Sequence, residues 1–191
     1  MKTSSAFLNK LEVCGIIHCE VENHMNLSLE DKVILITGVL TSLQRNLVHY
    51  YAVTQAVLPF LRQSQGCIVN IASKVAITGQ GGTSGYAAAK GAVLALTEDW
   101  AAELSAFGIR VNAVVPAEVM TPQYKRWVSQ FPASEEKLRS IASKVTLGQR
   151  MTEPDEIAFM VAFLLSGKSA GVNGQSLFVD GGYAHLDRRL S

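Results

Sequence analysis

The chain of 191 residues has no apolar run approaching eighteen residues, so no membrane-spanning helix is expected. It carries only three cysteines, an odd number, which argues against a disulfide framework and suits a reducing cytoplasm. Charge of one sign is lacking as well. Lys plus Arg number 17 against 16 Asp plus Glu, a net charge of +1 that gives no electrostatic case for nucleic acid or an anionic membrane. Internal repeats and low-complexity segments are absent. Hydrophobic residues, by contrast, make up 48% of the chain. At this length roughly 70% of the unfolded surface can be buried, enough for the core of one domain.

Residues 1–24 read differently from the rest. Their longest apolar run, Val13 to Ile17, is too short for the core of a secretory signal. Cys14, His18, Cys19 and His24 lack the paired spacing of a zinc finger or ribbon, and no second cysteine pair follows, so no metal site is expected. This stretch is read as a poorly ordered N-terminal extension, with residues 25–191 as the single domain.

From Val33 the pattern becomes alternating. Val33-Ile34-Leu35-Ile36, ending at Thr37-Gly38, is a β-branched apolar run of the kind buried on both faces of a parallel sheet. Leu43, Leu47, Tyr50, Tyr51, Thr54, Val57, Leu58 and Leu61 recur at three and four, which predicts a helix from Leu40 to about Arg62. Pro59 is expected to kink or end it. Cys67 to Ile71 reads as a second strand, and Ile109 to Val115 as a third, broken at Pro116. Between these lies a helix from about Ser84 to Phe107, stopped by Gly108. Residues 121–150 are more polar, with Tyr124, Trp127 and Phe131 at helical spacing, as in a mobile helical lid. Thr152 is expected to cap a helix running to about Ser166. Leu177-Phe178-Val179 is a last short strand. Strands alternating with helices predict an α/β domain with a largely parallel sheet.

Within that frame one constellation carries chemistry. Asn70-Ile71-Ala72-Ser73 closes a strand, and Tyr86-Ala87-Ala88-Ala89-Lys90 opens a helix thirteen residues later. Residues four apart share a helix face, so the Tyr86 phenol and the Lys90 ammonium can point into one cleft. A neighbouring ammonium lowers a phenol's pKa from its ordinary value of about 10. Tyr86 then becomes a candidate general acid/base, with Ser73 aimed at the same substrate oxygen. The set fits hydride transfer at a carbon bearing a hydroxyl or carbonyl. Singly, each residue has a plainer role: a strand-end hydroxyl, a packed aromatic, a solvated charge. Ser73 lacks the G-x-S-x-G elbow of a hydrolase nucleophile. The glycine loop at 79–85 lacks a nucleotide fingerprint, since Ser84 stands where the last glycine is needed, and is read as carrying the chain between Ser73 and Tyr86. Asn46 either faces solvent or points inward to hold a water that relays protons to Lys90.

On these residues the chain resembles the short-chain dehydrogenase/reductase family over about Ser42 to Ser191. The resemblance implies a catalytic tetrad of Asn46, Ser73, Tyr86 and Lys90. It also implies NAD or NADP as cofactor, with Thr37 and Gly38 after the first strand. Tyr86, Lys90, Pro116, Ala117, Val119 and Thr121 would lie around the nicotinamide and its ribose. Ser42-Leu43-Gln44-Arg45-Asn46-Leu47, Thr78-Gly79-Gln80-Gly81, Pro116 to Pro122 and Asp180 to Arg188 resemble the family's bacterial L-fucose dehydrogenase branch. That implies a sugar substrate oxidised to a lactone, with Gln80, Glu118 and Trp127 on its hydroxyls. A homo-oligomer, dimer or tetramer, is implied too, with Tyr183 to Arg188 at a subunit interface.

The chain departs from that family in its first half. A first strand should lead into T-G-x-x-x-G-x-G, the backbone cradle for a pyrophosphate at a helix N-terminus. Here Thr37-Gly38 passes straight to Val39-Leu40-Thr41. By comparison with βαβ units of about 30 residues, roughly 60–90 residues are missing. The expected fold is therefore a truncated, Rossmann-like doubly wound sheet of about four strands with helices on both faces, residues 33–37 lying beside 67–71. The alternative to a working oxidoreductase is an inactive remnant lacking the dinucleotide cradle, at most an interaction or oligomer-capping protein.

Overall fold

A computed structural model describes residues 41–187. Residues 1–24, the expected 33–37 strand with its place beside 67–71, Thr37, Gly38, the four Cys and His residues of the extension, and Arg188 lie outside the described residues. Among the described residues three strands, β1 (Cys67–Ile71), β2 (Arg110–Pro116) and β3 (Ser176–Val179), form one parallel sheet in the order β1-β2-β3. Ile71 lies opposite Val114, and Pro116 opposite Val179. The centre of the sheet follows directly from sequence: Val111, Ala113, Val114 and Val115 are wholly buried, as a strand covered on both faces requires.

Among the described residues five α-helices flank the sheet: α1 (His49–Ser64), α2 (Ser84–Ser105), α3 (Pro122–Val128), α4 (Ser134–Ala142) and α5 (Pro154–Leu165). Helices cover both faces of the sheet. On one face Trp100, Ala101 and Leu104 of α2 pack on Ile109 and Val111, with Tyr50, Leu58 and Leu61 of α1 around them. A second cluster joins Ala72, Val93 and Val115 to Leu47, Tyr50 and Phe178. From α5, which packs against all three strands, Leu164 is buried. Polar side chains then fix the layers. Asn70 of β1 donates to Thr97 of α2 (2.8 Å), and Asn112 of β2 bonds the Val172 carbonyl and the Gln175 N–H, both at 2.9 Å.

Two local expectations need correction. Pro59 does not end α1, which continues to Ser64. It lies on the exposed face, where water can serve the carbonyl that loses its N–H partner. Thr152 does not cap α5. Glu153 takes that place, while Thr152 is buried and pairs its backbone with the segment after β2: its N–H donates to the Glu118 carbonyl, and its carbonyl accepts from Met120. A polypeptide bridge across the chain outcompetes a local cap. Residues 121–150 carry two short helices, α3 and α4, joined and followed by turns, with Val128 and Val145 buried.

The start of α5 has a pH signature. Arg150 makes a bidentate pair with Glu156, both N–O distances 2.7 Å, and the Glu153 N–H donates to the same carboxylate. The guanidinium bonds first, then the backbone N–H, hold the Glu156 carboxyl down at about 2, from 4.5. A carboxyl depressed in the folded state contributes stability above its unfolded pKa and loses it as pH falls through the folded one. Melting temperature should thus decline between pH 4.5 and about 2, and decline less in Glu156→Gln. Identical slopes for the two proteins would show that the pair is not made in solution. Both side chains are exposed, so the expected difference is small.

Candidate active site

Because all three strands run the same way, their C-terminal ends meet at one edge of the sheet. Ligands of open α/β sheets bind there. Ser73 follows β1 in extended backbone and begins a 3₁₀ turn over Lys74–Ala76. Ala117 to Thr121 follow β2, and Asp180 to Tyr183 follow β3. Asp180 anchors the last of these, accepting from the N–H groups of Gly182 (2.8 Å) and Ala184 (2.9 Å). Gly181 and Gly182 both take positive φ, 62° and 82°, which turns the chain back. The Tyr183 ring thereby comes to lie 3.8 Å from the Lys74 ammonium.

A cleft of about 640 Å³ opens at this edge. Ser73, Gln80, Tyr86, Ala117, Glu118, Val119, Thr121 and Trp127 all line it, joined by Lys74, Tyr124 and Tyr183. The structure thus gathers all three of the expected substrate contacts around Ser73 and Tyr86. Val119 is held by its bridge to Thr152. Thr121 caps α3, its hydroxyl oxygen accepting from the Tyr124 N–H at 3.1 Å, which leaves its proton free to donate. Pro116 ends β2 just behind the cleft.

Lys90 lies one helical turn behind Tyr86, its ammonium 5.8 Å from the Tyr86 ring centre. It is only 7% exposed. The ammonium donates to the Ile71 carbonyl (2.7 Å) and to the Tyr50 hydroxyl (3.0 Å). Burial pushes its pKa down, and the neighbouring Tyr86 phenol works in the opposite direction. Asn46 is not brought to Lys90 by its side chain. Its amide turns back to the Ser42 carbonyl (2.9 Å) and hydroxyl (3.2 Å), within the π-helical turn Gln44–Val48 that precedes α1.

Three cleft residues escaped the sequence reading. Lys74 is 5% exposed and forms an ion pair with Glu118, tying the loop after β1 to the loop after β2. The Tyr124 hydroxyl donates to the other Glu118 oxygen at 2.8 Å. Burial, then the Glu118 carboxylate, push the Tyr124 pKa up, so it remains a donor. Lys74 had one signal, its place beside Ser73. Tyr124 and Tyr183 had none beyond their ring chemistry. Among the described residues no cluster of His, Cys, Asp and Glu is placed to hold a metal ion, and no helix is long and apolar enough to cross a membrane.

Residues 34–184 match the family model described as enoyl-(acyl carrier protein) reductase. The 3-oxoacyl-(acyl-carrier-protein) reductase FabG of Thermotoga maritima is 42% identical over 139 residues, 72% of this chain and 53% of that protein. L-fucose dehydrogenase of Bos taurus is 36% identical over 140 residues, 73% of this chain and 51% of the relative. The chain spans about half the length of the curated relatives it matches. Among solved structures, that of Cj0485 dehydrogenase superposes with a TM-score of 0.79 at 46% identity, covering 81% of this chain and 60% of that one. The aldohexose dehydrogenase of Thermoplasma acidophilum gives 0.72 at 30% identity, over 79% and 62%. With its parallel sheet, its cleft at the strand ends and these relatives, the chain belongs to the short-chain dehydrogenase/reductase family.

Proposed function

We propose that the chain is an NAD(P)-linked oxidoreductase acting on a sugar hydroxyl, L-fucose or a related aldose oxidised to its lactone. One observation carries this reading: Ser73 after β1, Tyr86 of α2 and Glu118 after β2 line one cleft. Relatives named for fucose and aldohexose favour a sugar, while those named for acyl-carrier-protein substrates do not. The Glu118 carboxylate supports the sugar. With one oxygen on Lys74 and the other on Tyr124, each keeps lone pairs for a substrate hydroxyl. Gln80 and Trp127 flank the same space.

The residues fit the nicotinamide-ribose half of the cofactor. Two of the three Lys90 protons are engaged, leaving one for a ribose hydroxyl, and Thr121 keeps a proton to donate. Pro116, Ala117 and Val119 would pass beside the ring. When bound, NAD(P) supplies the hydride acceptor. Ser73 orients the substrate oxygen by donating to it, and Tyr86 removes the hydroxyl proton as the C–H bond is given up. The homo-oligomer implied for the family has a surface available in the apolar groove between Leu47, Val48 and Tyr51 and Ala92, Ala95 and Leu96. The cytoplasm is the proposed compartment.

A second reading is favoured by the sequence after the first strand. Thr37-Gly38-Val39-Leu40 has no T-G-x-x-x-G-x-G, so the chain could be an inactive remnant. Thermal melting with NAD and with NADP separates the two. Nucleotide at about 100 times its dissociation constant adds ~2.7 kcal/mol to the folded state, several degrees for a domain of this size. A rise with either nucleotide, together with reduced nucleotide formed from L-fucose, is the expected result. No shift at millimolar concentrations would remove the enzyme reading.

A further inference from the structure

We propose that Tyr50 is the positioning residue for Lys90: its hydroxyl and the Ile71 carbonyl together hold the ammonium between the Tyr50 and Tyr86 rings. This rests on the reading of Lys90 as part of the proton-handling set.

The geometry starts from one peptide unit. The Ala72 N–H donates to the Val114 carbonyl across the sheet at 2.9 Å. No peptide bond here is cis, so the carbonyl of that same unit, on Ile71, points away from β2. Among the described residues β1 is the edge strand on that side, and no strand supplies a donor. A half-buried carbonyl left without a donor is unfavourable. Two side chains answer it. The Tyr50 hydroxyl and the Lys90 ammonium both donate to Ile71 at 2.7 Å. The Tyr50 oxygen, its proton committed to Ile71, accepts from Lys90 at 3.0 Å. The result is a closed triangle in which the ammonium has two fixed bonds and one free proton.

The helix explains why Tyr50 reaches this point and Asn46 does not. The π-helical turn Gln44–Val48 holds Asn46 on Ser42. An extra residue in one turn rotates everything after it by about 100°, and Tyr50, one turn on, is half-buried between both hydrophobic clusters. Its ring centre is 5.1 Å from the Lys90 nitrogen. Burial also raises the Tyr50 pKa, which keeps the hydroxyl protonated as the donor to Ile71. Among the described residues the titratable groups around the ammonium are the two phenols of Tyr50 and Tyr86. A phenylalanine at position 50 would fill the same space and offer no acceptor.

The test is an NMR titration of Lys90 in full-length protein carrying ¹³Cε-lysine, without nucleotide or sugar. The Lys90 signal is assigned by its loss in Lys90→Met. Tyr50→Phe is expected to move the Lys90 midpoint to lower pH by roughly one unit, the worth of one hydrogen bond to a charged group. A midpoint that stays where it is in a cooperatively melting Tyr50→Phe protein overturns the proposal. If Tyr50→Phe does not fold, wild-type protein labelled at tyrosine Cζ decides. The Tyr50 signal then follows the Lys90 titration if the bond exists and stays flat if it does not. A chain that binds no nucleotide yet shows the Lys90 shift would defeat the sugar oxidoreductase and leave this role of Tyr50 standing.

Discussion

Tyr86→Phe is expected to lower kcat/KM for L-fucose oxidation by about 10²–10⁴-fold, the usual worth of a positioned general acid/base. The same change should leave the melting temperature within about a degree, since substitutions that break no packed or bonded group cost little. The structure supports both halves. Tyr86 stands in the first turn of α2 and faces the cleft, and among the described residues no hydrogen bond engages its hydroxyl. Its ring stays in place as phenylalanine, so only the hydroxyl is lost. KM should change far less than kcat, because Ser73, Gln80 and Glu118 still line the cleft. A variant that retains a tenth or more of the wild-type rate would defeat the proton-transfer role. Loss of rate with an unchanged melt would separate chemistry from folding.

How much of this was legible in the sequence depended on the distance over which each feature is decided. The Tyr86 and Lys90 pair could be read because helical spacing is local, and β2 could be read because a strand buried on both faces is apolar throughout. Thr152 was misplaced because its bridge to Val119 is made across 33 residues of chain, beyond any local capping preference. Of the two outcomes expected at Pro59, a kink or an end, the end is absent because its cost depends on which face of α1 meets water. The Lys74 and Glu118 pair joins residues 44 apart, and neither β1 nor β2 alone announces it. Only the parallel register, Ile71 beside Val114, brings the two loops to the same edge. Tyr50 was visible as a packing position, but its hydroxyl acquires a task only once the direction of the Ile71 carbonyl is known. Thr37 and Gly38, expected beside the cofactor, lie outside the described residues.

Glu118→Leu is expected to destabilise the domain by about 3–5 kcal/mol, the cost of removing one partner from a buried ion pair. Lys74 is 5% exposed, and the Glu118 side chain is 15% exposed. Without the carboxylate the ammonium keeps, among the described residues, only the Tyr183 ring, and the Tyr124 hydroxyl loses its acceptor. Against a total stability of about 5–15 kcal/mol, that is a large fraction. The double variant Lys74→Met/Glu118→Leu should recover most of the loss, because two buried charges are replaced by apolar groups of similar volume. Urea unfolding of the wild type, both single variants and the double variant gives the coupling directly. A neutral Glu118→Leu would mean that the pair is not formed in solution. Function should not recover with the fold. In the double variant the hydroxyl-accepting carboxylate is still absent, so KM for the sugar should remain raised while the melt returns towards wild type. A stable double variant that binds L-fucose as the wild type does would remove Glu118 from sugar recognition, and would leave the pair as a clamp between the loops after β1 and β2.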